Sequence, residues 1–470
     1  MEDSVKIAVV GGGVAGSSVA IYLGSMGLDI TLFEKKSSLV DGPPMCHLHA
    51  GGNLYPDISM EQCVKLLKES IDLIHLYPQA IDYRPTLIAI PTYDTNKPSD
   101  LLKKLSILQN EYAKLVQVDE RNKVLGDPKN YFKSYNKEDL IRIKESNEYV
   151  EWITPFVKEV DLEAIKYPIF LVQEYGLNVF RIAASATTLL EKYKNVSLNL
   201  NSEITKIVGD NGYKIEYIKD NNRYTEKFDY LINAAGFESG KIDDYIEKKR
   251  DRFVEFKAAY VTKWEENTHK WAEVIFFGKR GSSRGMRQFT PYSCNYFQIH
   301  TMTKDVTLFD NGLVKSSKTS SMPKLSDDFL NKIYYEWKWS EVEHRTNRSI
   351  EYVSNFIKNF KSAKVASKPL YGAQQIPGVE DSLRAAEVSF DGESYARCEI
   401  VKASSVLSMA DDIMLKLIEK NIVDKGMYKH RDYDKYYVEK ELIDDLSTKI
   451  AISRGYPKCM GLLYSETLYN

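Results

Sequence analysis

The chain has 470 residues and a formal net charge of −2, with 43% hydrophobic and 28% charged residues. That length allows more than one domain at roughly 100–200 residues each, and the near-neutral balance gives no general attraction to nucleic acid or anionic membrane. No run approaches the ~18–20 apolar residues of a membrane span, and the apolar stretch 5–10 lacks the length and basic flank of a signal peptide.

In chain order, hydrophobic periodicity predicts a strand at 6–10, a helix at 15–26 and a strand at 29–33. Amphipathic helices follow at 60–75 and 99–115, then a helix at 178–193. Strands are expected at 196–200, 203–208, 213–218 and 230–234. Between about 250 and 310 the pattern changes. Residues 256–263, 273–277, 287–290 and 296–302 are rich in aromatic and β-branched side chains and read as antiparallel strands. A polar stretch at 315–321 reads as a solvated loop. Helices resume at 327–337 and 350–360, and the last clear one is 402–420. Strand–helix alternation at both ends of a β-rich interior predicts a nucleotide-binding domain interrupted by a sheet-based one. Five cysteines, Cys46, Cys63, Cys294, Cys398 and Cys459, are scattered without a Cys-x-x-Cys pair. Reduced thiols in a cytoplasmic protein are the expectation.

Gly11, Gly13 and Gly16 stand in G-x-G-x-x-G spacing between an apolar strand and a helix. Chemistry explains the spacing. Gly11 permits the tight turn, Gly13 lets backbone approach a pyrophosphate, and Gly16 lets the helix pack closely on the sheet. Val14 and Ala15 open the helix whose free amides face the phosphates. Glu34 ends the second strand, eighteen positions past Gly16, where a carboxylate accepts the ribose hydroxyls and disfavours the extra phosphate of NADP. The glycines alone leave NAD and FAD both open.

The string 6–34 resembles the N-terminus of the D-amino-acid-oxidase-like superfamily of FAD-dependent oxidoreductases. Its members include glycine and sarcosine oxidases, dimethylglycine dehydrogenase, glycerol-3-phosphate dehydrogenase, 2-hydroxyglutarate dehydrogenase and malate:quinone oxidoreductase. Residues 228–239, with Ala234, Ala235, Gly236 and Ser239, resemble its second FAD signature. Met45-Cys-His-Leu-His-Ala-Gly-Gly-Asn-Leu-Tyr55 resembles the segment that runs along the flavin ring. Residues 399–413 resemble the family's last helix, although the glycines common there are missing. The resemblance implies a fold of α/β class (α+β overall), a Rossmann-like FAD-binding domain of the glutathione-reductase type interrupted by an antiparallel-sheet substrate domain. On that division 1–75, 170–245 and 365–425 bind FAD, 76–169 and 246–364 form the substrate or cap domain, and 426–470 are a C-terminal extension. The implied FAD contacts are Gly11, Gly13, Val14, Ala15, Gly16, Glu34, Lys35, His49, Ala50, Gly51, Ala235, Gly236 and Ser405. His49 is the candidate flavin neighbour or covalent attachment point, with His47 an equal alternative. No metal is implied.

Hydride transfer to a flavin also needs a group to take the substrate's O–H or N–H proton and a cation to hold a carboxylate. Strand alternation puts Tyr296, Gln298 and His300 on one face. His300 is the candidate base, and Arg287, on a neighbouring strand, the candidate clamp. Arg384 falls where the superfamily brings an arginine beside the substrate, and Arg397 is a second option. The expected reaction removes a hydride from the carbon bearing OH or NH in a small acid. A 2-hydroxy acid of malate or 2-hydroxyglutarate type comes first, with electrons passed to a quinone or another acceptor, oxygen included. Oxidation of an amino acid or N-methyl amino acid is the alternative, and an FAD-dependent monooxygenase or tailoring enzyme the second. A quinone-reducing member would also touch the membrane peripherally, with no transmembrane segment.

Overall fold

The computed structural model describes residues 5–52, 58–146, 149–381, 383, 388–430 and 432–466. The N-terminal unit forms as the periodicity predicts, with strand Lys6–Val10, helix Val14–Ser25 and strand Asp29–Phe33. Both strands are almost wholly buried, and the helix buries nine of its residues from Gly16 to Gly24. Such all-round burial belongs to a helix sandwiched under a parallel sheet.

Six strands make the first sheet, in the order Val388–Phe390, Tyr395–Cys398, Tyr230–Asn233, Lys6–Val10, Asp29–Phe33, Val196–Asn199. The inner pairings are parallel, and only the Val388–Phe390 edge strand is antiparallel. Chain order reverses around Lys6–Val10, because its neighbours on the two sides come from residues 29–33 and 230–233. Ligands of open α/β sheets sit at the carboxyl ends of strands at such a switch point. A small antiparallel sheet of Ser202–Val208, Tyr213–Lys219 and Asn222–Phe228 stands beside it.

The larger sheet joins strands from two distant segments. Strand Arg252–Lys263 runs antiparallel to Tyr296–Thr301, which pairs with Arg287–Tyr292 and then with Glu273–Phe276. Glu273–Phe276 continues in parallel with Thr86–Pro91, and Ile165–Val172 and Phe132–Tyr135 complete that side. Leu370–Pro377 lies along the other edge of Arg252–Lys263. One face carries Phe276, Phe289, Phe297 and Ile299 into an apolar core with Trp264, Trp271 and Phe360. The opposite face carries Glu273, Gln288, Gln298 and His300, set among apolar residues such as Val261 and Ile275. The sheet therefore presents a packed side and a chemical side.

Three expectations need correction. The helix expected at 350–360 is Trp339–Ser354, followed by a short turn of 3-10 helix at Lys358–Ser362. A further helix, Lys440–Ser453, follows the one expected to be last and packs on helix Val179–Lys192. The cysteines are not all reduced, since Cys294 and Cys459 are joined in a disulfide with their Cα atoms 6.1 Å apart. That bond ties the turn between two strands of the larger sheet to the C-terminal segment, 165 residues away. Closing so long a loop restricts the unfolded chain. Reduction or Cys459→Ser is therefore expected to cost about 2–4 kcal/mol, read as a lower unfolding midpoint in denaturant.

Candidate active site

One cleft of about 1160 Å³ runs from the carboxyl end of Lys6–Val10 to the His300 face of the larger sheet. At the first end its lining includes Gly11, Gly13, Val14, Ala15, Glu34, Lys35, Ala235 and Gly236. Gly11 takes φ +103°, and a side chain there would strike the Ala234 carbonyl. Gly16 does not line the cleft. A Cβ on it would lie 1.8 Å from the Gly11 oxygen, so its absence is what lets helix and turn touch. Gly13, by contrast, has open space in front of it, as does Gly236. No side chain caps helix Val14–Ser25 at Gly13, so its first amides are turned to the cleft, as an anionic group requires. Glu34 accepts from the amides of Gly12 at 2.7 Å and Lys36 at 2.8 Å. Burial raises its pKa, and the carboxylate keeps acceptor capacity for a hydroxyl-bearing ligand.

The other end is built on the larger sheet. His300 and Gln288 are direct cross-strand partners, and both line the cleft with Lys257, Arg280 and Gln374. Neither ring nitrogen of His300 has a hydrogen-bond partner among the described residues. Burial lowers its pKa, and the positive charges of Lys257 and Arg280 lower it further, to about 3. Lys257 Nζ lies 2.7 Å from Glu255 Oε2, while Arg280 pairs with Oε1 of the same carboxylate.

A buried polar network forms the inner wall. His47 Nδ1 is 2.5 Å from Glu273 Oε1, which also accepts from Gln288 at 2.5 Å, and Arg84 binds the other carboxylate oxygen. Burial opposes ionisation of Glu273, but His47 and Arg84 outweigh it and hold its carboxyl well below the usual range. For His47 burial works against the charged ring, and Glu273 more than offsets it, raising the pKa. His49 packs edge-on against His47 with ring centroids 4.9 Å apart, and its Nε2 lies 3.3 Å from Lys402 Nζ. Burial, Lys402 and His47 together keep its ring neutral.

Several expected residues lie elsewhere. Arg287 is on the opposite face of the sheet, its Nη1 2.7 Å from the Tyr93 hydroxyl and its guanidinium over Tyr352 and Phe356. Register is the reason: His300 sits opposite Gln288, so Arg287 points the other way. Arg397 is buried in an ion pair with Asp243 at 2.6 Å. Ser405 donates to Glu69 at 2.7 Å, and its neighbour Ser404 lines the cleft instead. Ala50 and Gly51 sit behind His49, the Ala50 carbonyl taking the Tyr131 hydroxyl at 2.7 Å. Arg384 and Tyr55 lie outside the described residues. Lys257, Gln288, Glu273 and Arg84 were not singled out from the sequence. Only the register of distant strands assembles them.

Residues 6–277 match the family model described as DAO, FAD dependent oxidoreductase. The chain belongs to this family. FAD is thus the cofactor, and the uncapped helix, the open space at Gly13 and the carboxylate of Glu34 fit its dinucleotide. No curated protein sequence matches the chain. Solved structures are similar in fold. The glycerol-3-phosphate dehydrogenase from Bacillus halodurans, complexed with FAD, aligns at TM-score 0.59 and 11% identity over 97% of this chain and 74% of that one. Glycine oxidase from Geobacillus kaustophilus gives 0.56 and 11%, over 93% and 99%. L-Proline dehydrogenase from P. horikoshii gives 0.55 and 14%, over 97% and 100%. Among the described residues no helix is long and apolar enough to cross a membrane.

Proposed function

We propose that this FAD-dependent oxidoreductase takes a hydride from the hydroxyl-bearing carbon of a small 2-hydroxy acid, with His300 as the base. One observation carries the reading. A neutral imidazole whose ring nitrogens have no hydrogen-bond partner among the described residues faces the cleft with the cations of Lys257 and Arg280 beside it. The cations attract a carboxylate, and the imidazole takes the proton of a neutral hydroxyl. A protonated amine would meet positive charge instead.

In this assignment Gly11, Gly13, Val14 and Ala15 hold the FAD pyrophosphate, Glu34 its ribose, and Ala235, Gly236 and the 46–51 loop its flanks. Gly16 and Ser405 act from behind by packing, and Lys35, paired with Glu238, closes the rim. When bound, FAD supplies the hydride acceptor. Electrons then leave to a quinone or another acceptor.

Anaerobic bleaching of the visible flavin band tests the substrate. A panel of 2-hydroxy acids is expected to bleach it within seconds to minutes. Bleaching by amino or N-methyl amino acids alone would overturn the assignment in favour of amine oxidation. A second expectation concerns His49. Its Nδ1 is shut away from solvent and its Nε2 faces Lys402 Nζ at 3.3 Å, so neither is presented to a flavin from the open cleft. Acid precipitation should therefore leave a colourless pellet and a yellow supernatant; a yellow pellet would establish a covalent link.

A further inference from the structure

We propose that His47, His49 and Glu174 hold a divalent metal ion of the zinc class at the buried inner wall of the cleft. One ligand atom from each lies within 4.8 Å of the others. Glu174 is fully buried and His47 is 4% exposed, so the group is not a solvated surface cluster.

A second observation points the same way. His47 Nδ1 is committed to Glu273 and lies 3.1 Å from Gln288 Nε2. Its Nε2 is buried with no hydrogen-bond partner among the described residues. A carboxylate on one nitrogen fixes the tautomer and aims the lone pair of the other, the arrangement found behind metal-ligating histidines. Arg84 anchors that carboxylate in turn, through Glu273 and through the Cys46 carbonyl at 3.0 Å. The ring is therefore held from behind by two layers of bonds.

Charge permits a cation. An ion at His47 Nε2 displaces any proton there, and with both imidazoles then neutral, Glu174, Glu273 and Asp82 against Arg84 and Lys402 sum to −1. Two imidazoles and a carboxylate suit zinc and its neighbours, whereas magnesium and calcium favour all-oxygen shells. Ligand atoms on one such ion sit roughly 3.4 Å apart, so closure needs side-chain rotation of about an ångström. The ion would tie the 46–51 loop to the turn at 173–176, which already meet through the His47–Gly176 bridge.

The test uses untagged holoenzyme, stripped with chelator and then titrated calorimetrically with Zn²⁺. About one equivalent per chain is expected, with a rise in thermal midpoint and unchanged flavin absorbance. Glu174→Gln should abolish stoichiometric binding, and Glu273→Gln should weaken it about 10–100-fold. Zinc-edge anomalous scattering from crystals of the unmutated protein locates the ion independently of how the variants fold. Absence of stoichiometric binding, or an anomalous peak away from these three side chains, would overturn the proposal.

Discussion

Gly13→Asp is expected to give a folded protein that no longer holds FAD. Gly13 has φ −64° and ψ −177°, a conformation open to any L-residue. A Cβ built there meets no atom within 4 Å, so nothing in the fold resists the side chain. Aspartate is also a better helix N-cap than glycine by a few tenths of a kcal/mol, and stability should hold or rise. The same carboxylate would occupy the space before the uncapped amides and repel a pyrophosphate. Two like charges about 4 Å apart cost from ~1 kcal/mol in water to ~4 kcal/mol near a protein surface. Affinity should therefore fall roughly tenfold to a thousandfold. The ratio of flavin to protein absorbance reads the loss, and far-ultraviolet circular dichroism reads the fold. Full flavin occupancy in the variant would show that the dinucleotide does not lie on this helix. Gly13→Ala adds volume without charge and should retain most of the binding.

The contrast between the two ends of the cleft explains what the sequence could show. Around Gly13 every cue is local: an apolar strand, glycines at fixed spacing, a helix and a second strand within thirty residues. The cofactor end is therefore legible from one stretch of chain. At the substrate end the wall residues come from several strands and loops far apart in the chain, and the register decides which strand side chains face inward. The alternation of His300 with Phe297 and Ile299 could be read. The opposite facing of Arg287 could not, because it depends on the Gln288–His300 pairing across the hairpin. Strands Thr86–Pro91 and Leu370–Pro377 escaped notice because each ends in proline and carries little alternation. Leu370–Pro377 lines the cleft with Tyr371 to Gln375. The Cys294–Cys459 bond and the Arg84–Glu273–His47 network span 165 to 226 residues, distances over which local pattern carries no information.

Removing the base has the largest expected effect on chemistry. In His300→Ala, flavin reduction by a 2-hydroxy acid should slow about 10²–10⁴-fold, the usual worth of a positioned base, with flavin content unchanged. Stopped-flow measurement of the reductive half-reaction reads this directly. Near-normal reduction would remove His300 from the mechanism. The pH profile gives an independent check. Burial and then the Lys257 and Arg280 charges lower the pKa of His300 to about 3, so the ring is unprotonated across the physiological range and takes the hydroxyl proton only as the hydride leaves. Reduction should lack the acid limb near pH 6.5 that an ordinary histidine would impose. The same shift has a consequence for stability, with a definite sign. Above pH 6.5 the ring is neutral whether the chain is folded or unfolded, and its contribution is fully present. As pH falls from 6.5 towards 3, the unfolded chain takes a proton that the folded site refuses, and that contribution is lost. His300→Ala should therefore flatten the decline of folding free energy across that interval. An unchanged slope would mean that the folded site does not lower the pKa of this imidazole.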